Sequence, residues 1–232
     1  MQPMVELTGV TKRYGSHIVI DNLSLSLPSG LIGLIGPNGS GKTTLLNMLA
    51  GLQRPTKGVI TLAQQRVSRL SASHIAYIAD RQMLYGFYTV EETIAYASNI
   101  YPDFNNQQVA DIIAQIFQFD PKKKVSQLSK GNQLRLQIAI ALARKVPLIL
   151  MDEPLSGLDP LIRQDVLKLF VACTELEQQT IIISSHEVAE IEPYLDYVIF
   201  LNEGQLKLFA STETLRAERE LSMLDMMKEN CL

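Results

Sequence analysis

Eight consecutive residues near the start of the chain have the types and the spacing of a loop that binds phosphate. Residues 36–43 read GPNGSGKT and fit the pattern G-x-x-x-x-G-K-S/T, between an apolar segment and a helical one. Glycines let backbone N–H groups turn inward around phosphate oxygens, Lys42 would reach the β- and γ-phosphates, and Thr43 offers Mg²⁺ a hydroxyl. A glycine-rich turn without a ligand is the alternative, but it would not require Lys and Thr at these positions. The predicted phosphate-binding residues are Gly36, Pro37, Asn38, Gly39, Ser40, Gly41, Lys42, Thr43 and Thr44.

Two adjacent acidic residues form a second candidate site. Asp152 and Glu153 directly follow the apolar residues 148–151, where carboxylates are rarely placed for stability alone. Neighbouring residues at a strand end point to opposite sides, so we predict that Asp152 faces Mg²⁺ and that Glu153 faces an attacking water as general base. The alternative is that the pair begins a turn or caps the following helix.

Both candidate sites need a sheet that positions them. Residues 31–35, 148–151 and 180–184 are short apolar runs, typical of buried strands, and helical patterns at residues 43–49 and 161–176 alternate with them. Strands that alternate with helices predict a parallel α/β sheet.

Two other stretches predict antiparallel pairing. Residues 23–27 alternate Leu and Ser, which is the period of a strand with one buried face. Residues 197–201 and 205–209 are apolar or alternating and flank Asn202, Glu203 and Gly204, which together indicate a β-hairpin.

The middle and the end of the chain have helical periods. Apolar residues three and four apart occur in residues 90–100, 107–117 and 129–143, which indicates a helical insertion. A last helix is predicted over residues 212–227, with packing against the chain's own core favoured over a dimer or regulatory contact.

Composition limits the classes of protein that remain possible. The chain has 232 residues, of which 47% are hydrophobic, and a formal net charge of −3, which predicts a folded domain rather than disorder or a mini-protein. The slight acidity argues against nucleic acid as a partner. Cys173 and Cys231 fit neither a paired metal site nor a disulfide framework, so reduced thiols are expected. We expect no signal peptide, and no apolar run reaches the length that spans a bilayer.

Four further short segments have a recognisable order along the chain. They are KRYG at residues 12–15, LSKGN at residues 128–132, SGLD at residues 156–159 and ISSH at residues 183–186. With the phosphate loop and the acidic pair, they make the chain resemble the nucleotide-binding subunit of ATP-binding cassette (ABC) transporters over nearly its whole length. LSKGN departs from the family's Leu-Ser-Gly-Gly-Gln at Lys130 and Asn132, although Ser129 remains a good N-cap.

The resemblance implies ATP as the nucleotide and a role for each segment. Tyr14 would stack on adenine and His186 would touch the γ-phosphate, while Asp159 would link the two nucleotide sites across a dimer. The signature residues would bind the γ-phosphate held by the other protomer; they are Ser129, Lys130, Gly131 and Asn132.

Each of these roles has a structural alternative. Tyr14 could be a core aromatic, Ser129 a simple N-cap, Asp159 a helix start and His186 a satisfied structural histidine. His17 and His74 have no comparable context, and we interpret them as structural.

One position in the loop before the helical block departs from the family. The Mg²⁺-contacting glutamine expected there falls on Asp80, although Gln82 takes the role if the loop is shifted. A carboxylate can still bind Mg²⁺, but it adds negative charge near the phosphates.

The predicted fold is therefore α/β, a P-loop NTPase core with an N-terminal antiparallel β subdomain and an inserted helical subdomain. Residues 1–82 and 145–211 would form the core, residues 83–144 the helical subdomain with the signature, and residues 212–232 a helical tail.

The resemblance implies ATP hydrolysis at a head-to-tail homodimer or heterodimer that drives a separate transmembrane permease. The chain would be cytoplasmic and peripheral to the inner face of the membrane, and YPDF at residues 101–104 with LSKGN looks like bacterial cassettes that export drugs, peptides or lipids. The alternative is a soluble ABC ATPase that acts on ribosomes, DNA or a metal-cluster assembly complex. A scaffold that binds ATP without turnover is disfavoured, because Lys42, Asp152, Glu153 and His186 are all present.

Three aromatic residues suggest where such a permease would bind. Tyr85, Phe87 and Tyr88 could form a hydrophobic socket for a helix of the partner. The alternative is that they form a buried core cluster.

Overall fold

The computed structural model describes residues 4–79, 84–114, 120–173, 179–186 and 191–218, and these form two β-sheets with helices around them. The strands are β1 (Val5–Tyr14), β2 (His17–Leu27), β3 (Gly30–Ile35), β4 (Lys57–Leu62), β5 (Gln65–Arg66), β6 (Ile75–Ile78), β7 (Leu148–Met151), β8 (Thr180–Ser185), β9 (Tyr197–Asn202) and β10 (Gln205–Ser211). The helices are α1 (Lys42–Leu49), α2 (Val90–Ile100), α3 (Asn106–Ile112), α4 (Lys130–Leu142), α5 (Pro160–Cys173) and α6 (Thr212–Glu218), with 3₁₀ helices at Arg69–His74, Val125–Gln127 and Glu192–Tyr194.

The smaller sheet is antiparallel and has the strand order β2-β1-β4-β5. In β2 the leucines 23, 25 and 27 are buried while Ser24 and Ser26 are exposed, because successive side chains of a strand point to opposite faces. The predicted half-exposed strand is thus present, and it extends further towards the N-terminus than the alternation indicated.

The larger sheet has the order β10-β9-β3-β8-β7-β6, with β9, β3, β8, β7 and β6 parallel and β10 antiparallel. β3, β7 and β8 are buried along their whole length, as their apolar composition predicted. The predicted hairpin joins β9 to β10 through Glu203 and Gly204, whose φ angles are +48° and +73°. Two residues at positive φ are typical of the tight turns that connect hairpins.

β6 was not predicted from the sequence. It has only four residues, Ile75, Ala76, Tyr77 and Ile78, and no period that separates a strand from a helix. Parallel pairing with β7 keeps this segment extended, so a contact distant in sequence determines its structure.

The helices α2, α3 and α4 occupy the region predicted as a helical insertion, and α2 spans the residues that its periodicity indicated. Thr89 and Glu92 form a capping box at the start of α2, with hydrogen bonds of 3.1 and 2.7 Å. Arg144, after α4, is 5% exposed and joins this region to the sheet. Its guanidinium donates to Ile75 O at 2.9 Å and to Asp103 Oδ2 at 3.2 Å.

The beginning of the C-terminal segment packs on the chain's own core. Thr212 Oγ1 donates to Leu195 O at 2.6 Å, and Leu215 is 6% exposed within the main hydrophobic core. α6 is described to Glu218, so the predicted continuation to residue 227 lies outside the described residues. No helix in the described ranges is long and apolar enough to cross a bilayer.

Candidate functional site

The candidate site lies where three neighbouring parallel strands end. The phosphate loop follows β3, the acidic pair follows β7 and His186 follows β8, and these strands lie side by side in the order β3-β8-β7. Carboxyl ends of parallel strands meet at one edge of a sheet, which is where open α/β sheets bind ligands. Sheet topology thus brings together segments that are more than a hundred residues apart in sequence.

The phosphate loop is packed tightly against the rest of the chain. A Cβ on Gly36 would collide with Leu201 O, and a Cβ on Gly41 would lie 2.9 Å from Val19 O. Gly41 also has a φ angle of +104°, which L side chains rarely adopt. The loop therefore requires glycine at both positions, and α1 begins directly after it with its N–H groups at the loop.

The hydroxyl of Ser40 lies in this loop, is buried, and has no hydrogen-bond partner among the described residues. Buried polar groups are nearly always hydrogen-bonded, so an orphaned hydroxyl in a glycine-rich loop fits a ligand with oxygen acceptors. Phosphate oxygens are such acceptors, and this is a structural observation that supports the phosphate-loop prediction.

The Lys42 ammonium is held at three points close to this loop. Its Nζ lies 2.7 Å from Gly36 O, 3.3 Å from Pro37 O and 3.3 Å from Glu153 Oε1, and the side chain is 6% exposed. A buried ammonium needs partners of opposite charge, and the Glu153 carboxylate supplies one. The structure therefore places the predicted phosphate-binding cation next to the predicted general base.

The side chains of the acidic pair point in different directions, but strand alternation is not the cause. β7 ends at Met151, and Glu153 has a φ angle of +48° in the left-handed region. Alternation along an extended strand was therefore the wrong explanation, because the backbone turns at the pair. The turn separates the two carboxylates: Asp152 Oδ1 accepts from Ser184 Oγ, whereas Glu153 contacts Lys42 and His186.

His186 is joined directly to the predicted base. Its Nδ1 lies 2.8 Å from Glu153 Oε2, and its side chain is 40% exposed. An ionised carboxylate only accepts hydrogen bonds, so Nδ1 carries a proton in this contact. Lys42, Glu153 and His186 thus form one chain of charge-assisted contacts beside the phosphate loop.

The residues present fit a Mg²⁺ ion bound with nucleotide. Asp152 is 2% exposed, and Thr43 lies in the first turn of α1 beside the phosphate loop. Carboxylate and hydroxyl oxygens are the ligands that Mg²⁺ takes together with phosphates and waters. Among the described residues, no group of three or more His, Cys, Asp or Glu side chains forms a separate metal site.

Tyr14 is a surface residue. Its side chain is 46% exposed, its hydroxyl is hydrogen-bonded to Gln53, and Lys12 Nζ lies 5.1 Å from the ring centroid. The alternative of a buried core tyrosine is therefore wrong. The exposed aromatic ring is compatible with stacking on a base, which stays a prediction.

The signature segment, residues 129–132, lies at the start of α4. Ser129 is its N-cap, with Oγ accepting from Asn132 N at 3.3 Å, and both Ser129 and Lys130 are exposed. Gly131 is buried against α5. A Cβ at this position would lie 3.2 Å from Ile162 Cδ1, so there is little room for a side chain. Among the described residues, the hydrogen bonds of Ser129 and Asn132 all stay inside this helix turn and the residues that follow it.

Asp159 begins α5. Its Oδ1 accepts from Ile162 N at 3.0 Å, which is the geometry of an N-cap, and the residue is exposed. The structural alternative for Asp159 is thus realised, while its exposure leaves the proposed link across a dimer open.

Three further predictions concern the choice between Asp80 and Gln82, and the two histidines His17 and His74. Asp80 and Gln82 both lie outside the described residues, so the choice between them stays a prediction. His17 and His74 are exposed, and His74 Nδ1 pairs with Ser73 Oγ at 2.9 Å.

One residue of the site, Ser184, was not predicted from the sequence. It is buried at the end of β8, between the acidic pair and His186, and it bonds to both acidic residues. Its position two residues before His186 is the only sequence signal, and that signal becomes informative once β8 is known to lie beside β7.

Comparison with known proteins adds the following findings. A sequence model of the family described as "ABC transporter" matches residues 20–156. The chain is 32% identical to the bacitracin transport ATP-binding protein BcrA of Bacillus licheniformis over 89% of this chain and 69% of that protein. It is 33% identical to the Fe(3+) ions import ATP-binding protein FbpC of Escherichia coli O157:H7, over 91% of this chain and 63% of that protein.

A solved structure has the same fold. It is a bacterial ABC transporter cassette in dimeric form, with a TM-score of 0.78 and 23% sequence identity over 90% of this chain and 99% of that chain. The two sheets and the helical region described above therefore match a known cassette fold.

Proposed function

We propose, from the premise that the chain belongs to the ABC transporter family and is an ATPase, that it converts ATP hydrolysis into work on a separate membrane permease. The observation that carries the hydrolytic assignment is the contact chain Lys42–Glu153–His186 beside a phosphate loop with an orphaned hydroxyl. This arrangement sets a base, a cation and a histidine around the place where a terminal phosphate would bind.

The proposed mechanism assigns each step to residues of this chain. Lys42 and the N–H groups of the phosphate loop hold the phosphates, and Glu153 takes the proton from the attacking water. His186 orients Glu153 through Nδ1 and contacts the γ-phosphate. Thr43 and Asp152 would hold Mg²⁺, which neutralises phosphate charge when bound.

The signature segment is proposed to act on a second copy or a second ATPase subunit. Ser129 and Lys130 are exposed, and the N–H groups at the start of α4 can bind an anion. A head-to-tail dimer brings this segment to the phosphate loop of the other subunit, and either a homodimer or a heterodimer satisfies that geometry. The dimeric form of the similar cassette supports this proposal.

The permease is proposed to bind at an aromatic patch, formed by Tyr85, Phe87, Tyr88 and Tyr96. Tyr85 is 48% and Phe87 is 65% exposed, and the ring centroids lie 4.6–5.8 Å apart. The alternative of a buried core cluster is therefore wrong. A hydrogen bond with Tyr85 raises the pKa of Tyr96, because that bond favours the neutral phenol.

This patch borders a groove that suits a short segment of a partner. The groove has a volume of about 170 Å³, and its walls are α2, α4 and β6 with Ala76, Ala97 and Ala141 among them. Exposed aromatic surface next to an apolar groove is typical of a protein interface. The proposed occupant is a cytoplasmic helix of the permease, which places the chain at the inner face of the membrane.

Export is the proposed direction of transport, with drugs, peptides or lipids as substrate class. It rests on the resemblance of YPDF and LSKGN to export-type cassettes and on the similarity to a bacitracin transport protein. Cells without the chain should become more sensitive to peptide antibiotics and hydrophobic drugs. A growth defect relieved only by an added nutrient would instead indicate import.

Photo-crosslinking in cells tests the permease. A benzophenone amino acid at Phe87 should crosslink to a cytoplasmic loop of a multi-spanning membrane protein, identified by mass spectrometry. The matched control carries the same amino acid at Leu70, which is 89% exposed and lies outside the patch. A ribosomal, DNA-bound or cluster-assembly protein at position 87 would replace the permease by the soluble alternative.

A further inference from the structure

We propose that Ser184 is a positioning residue for ATP hydrolysis, because one hydroxyl holds both members of the acidic pair. Ser184 Oγ donates to Asp152 Oδ1 at 2.7 Å and accepts from Glu153 N at 2.8 Å. Ser184 is 0% exposed, so water cannot replace these contacts. The inference rests on the ATPase activity and is independent of the permease and of the direction of transport.

The two hydrogen bonds constrain different parts of the site. Donation to Oδ1 fixes the rotation of the Asp152 carboxylate and orients its other oxygen. Acceptance from the Glu153 N–H holds the peptide group between the two acids, next to a backbone with φ at +48°. That unusual conformation directs the Glu153 side chain to Lys42 and His186 rather than along the direction of β7.

Strand pairing fixes the hydroxyl itself. β8 lies between β3 and β7, and Ser184 pairs with Leu34 while Met151 pairs with Ile183. The serine therefore sits one residue beyond the last pair of β7, at the height where the acidic pair begins. A buried strand on each side makes this placement rigid, as the geometry of a catalytic base requires.

Removal of the hydroxyl should slow turnover more than it weakens nucleotide binding. The phosphate loop does not use Ser184, so the affinity for ATP without Mg²⁺ should stay within about threefold of wild type in Ser184→Ala, against the larger loss expected for an orienting residue. Loss of a residue that orients a ligand or a base typically lowers activity about 10–100-fold, and we expect kcat to fall by that factor. Ser184→Thr keeps a hydroxyl and should recover most of kcat.

A second readout does not depend on turnover. Affinity for a fluorescent ATP analogue is measured with Mg²⁺ and with EDTA. The gain in affinity from Mg²⁺ should shrink about tenfold in Ser184→Ala, because Asp152 is no longer oriented, while affinity in EDTA stays at the wild-type value. Glu153→Gln should keep the full gain, because its backbone N–H and Asp152 are unchanged.

Thr180→Val is the matched control for a simple loss of stability. Thr180 is also 0% exposed on β8, and its Oγ1 donates to Pro28 O at 3.0 Å, at the opposite end of the strand. This variant should melt at a lower temperature but keep kcat and the Mg²⁺ gain. Ser184→Cys keeps the size with a weak hydrogen-bonding group and should reproduce the loss of kcat even if Ser184→Ala fails to fold.

Two results would overturn the proposal. The first is turnover within about twofold of wild type in folded Ser184→Ala or Ser184→Cys protein, against the 10–100-fold loss expected for an orienting residue. The second is an equal loss of kcat in Thr180→Val, which would assign the effect to stability of β8 alone.

Discussion

The edge of the sheet at β3, β7 and β8 and the signature segment at α4 differ in where their polar groups find partners. At the sheet edge, Lys42, Glu153, His186, Asp152 and Ser184 contact one another within a single chain. At the signature segment, Ser129 and Lys130 are exposed, and within the described residues the hydrogen bonds of Ser129 stay in its own helix.

The difference shows that one region is assembled by folding and the other is left open on the surface. Buried charges need partners inside the chain, so residues at the sheet edge are fixed before nucleotide binds. The N–H groups of an exposed helix start are hydrated and available to an anion brought by another molecule. We therefore expect the two regions to respond differently to substitution.

The largest effect is expected at the sheet edge. Glu153→Gln removes the proposed base and leaves the phosphate loop intact, so turnover should fall about 10²–10⁴-fold while ATP remains bound. ATP that is held without hydrolysis should trap a dimer, which size-exclusion chromatography with ATP and Mg²⁺ detects. A monomeric variant with near wild-type turnover would contradict the assignment of Glu153.

The second prediction tests whether the signature segment serves another subunit. Lys42→Ala and Ser129→Arg should each be inactive alone, and mixing them should restore up to about a quarter of the wild-type rate, because half of the dimers hold one intact site of two. Two Lys42→Ala preparations mixed together are the control. For a chain that forms homodimers, no rescue at any mixing ratio would count against a shared site.

The third prediction separates stability from both regions. Truncation after Ser211 removes Thr212 and Leu215 from the core and should lower the melting temperature by about 3–12 °C, since a buried leucine contributes about 1.5–3 kcal/mol. ATP affinity should change much less. Truncation after Glu218 keeps both contacts and is the control. Unchanged melting with altered dimerisation would instead assign this segment to a contact between subunits.

The smallest effect is expected where the signature departs from its family. Lys130 is exposed and Asn132 bonds through its backbone N–H to Ser129, so the anion-binding groups at the helix start do not depend on either side chain. Lys130→Gly and Asn132→Gln should change turnover by less than about threefold, with a stability cost of at most about 1 kcal/mol for the glycine. A loss approaching that of Ser129→Arg would show that these side chains themselves bind.

Local signals predicted most of the individual elements. The capping box at Thr89 and Glu92 and the apolar period of residues 90–100 define α2, since both the cap and the buried face belong to one short segment. The hairpin at Glu203 and Gly204 was predictable for the same reason. β6 was not, because its extended backbone depends on pairing with β7, about seventy residues away.

Residue types and spacing alone predicted the phosphate loop, the acidic pair and the α/β class of this chain, and the resemblance to the family added the histidine after β8. Glycines, a lysine and a threonine at fixed positions are a chemical requirement of the loop itself, so no distant contact is needed to recognise them. Only the tertiary structure placed Ser184 between Asp152 and Glu153, turned Glu153 towards Lys42, and exposed Tyr85 and Phe87. Strand order and burial decide these features, because they depend on which distant segments become neighbours when the sheet forms.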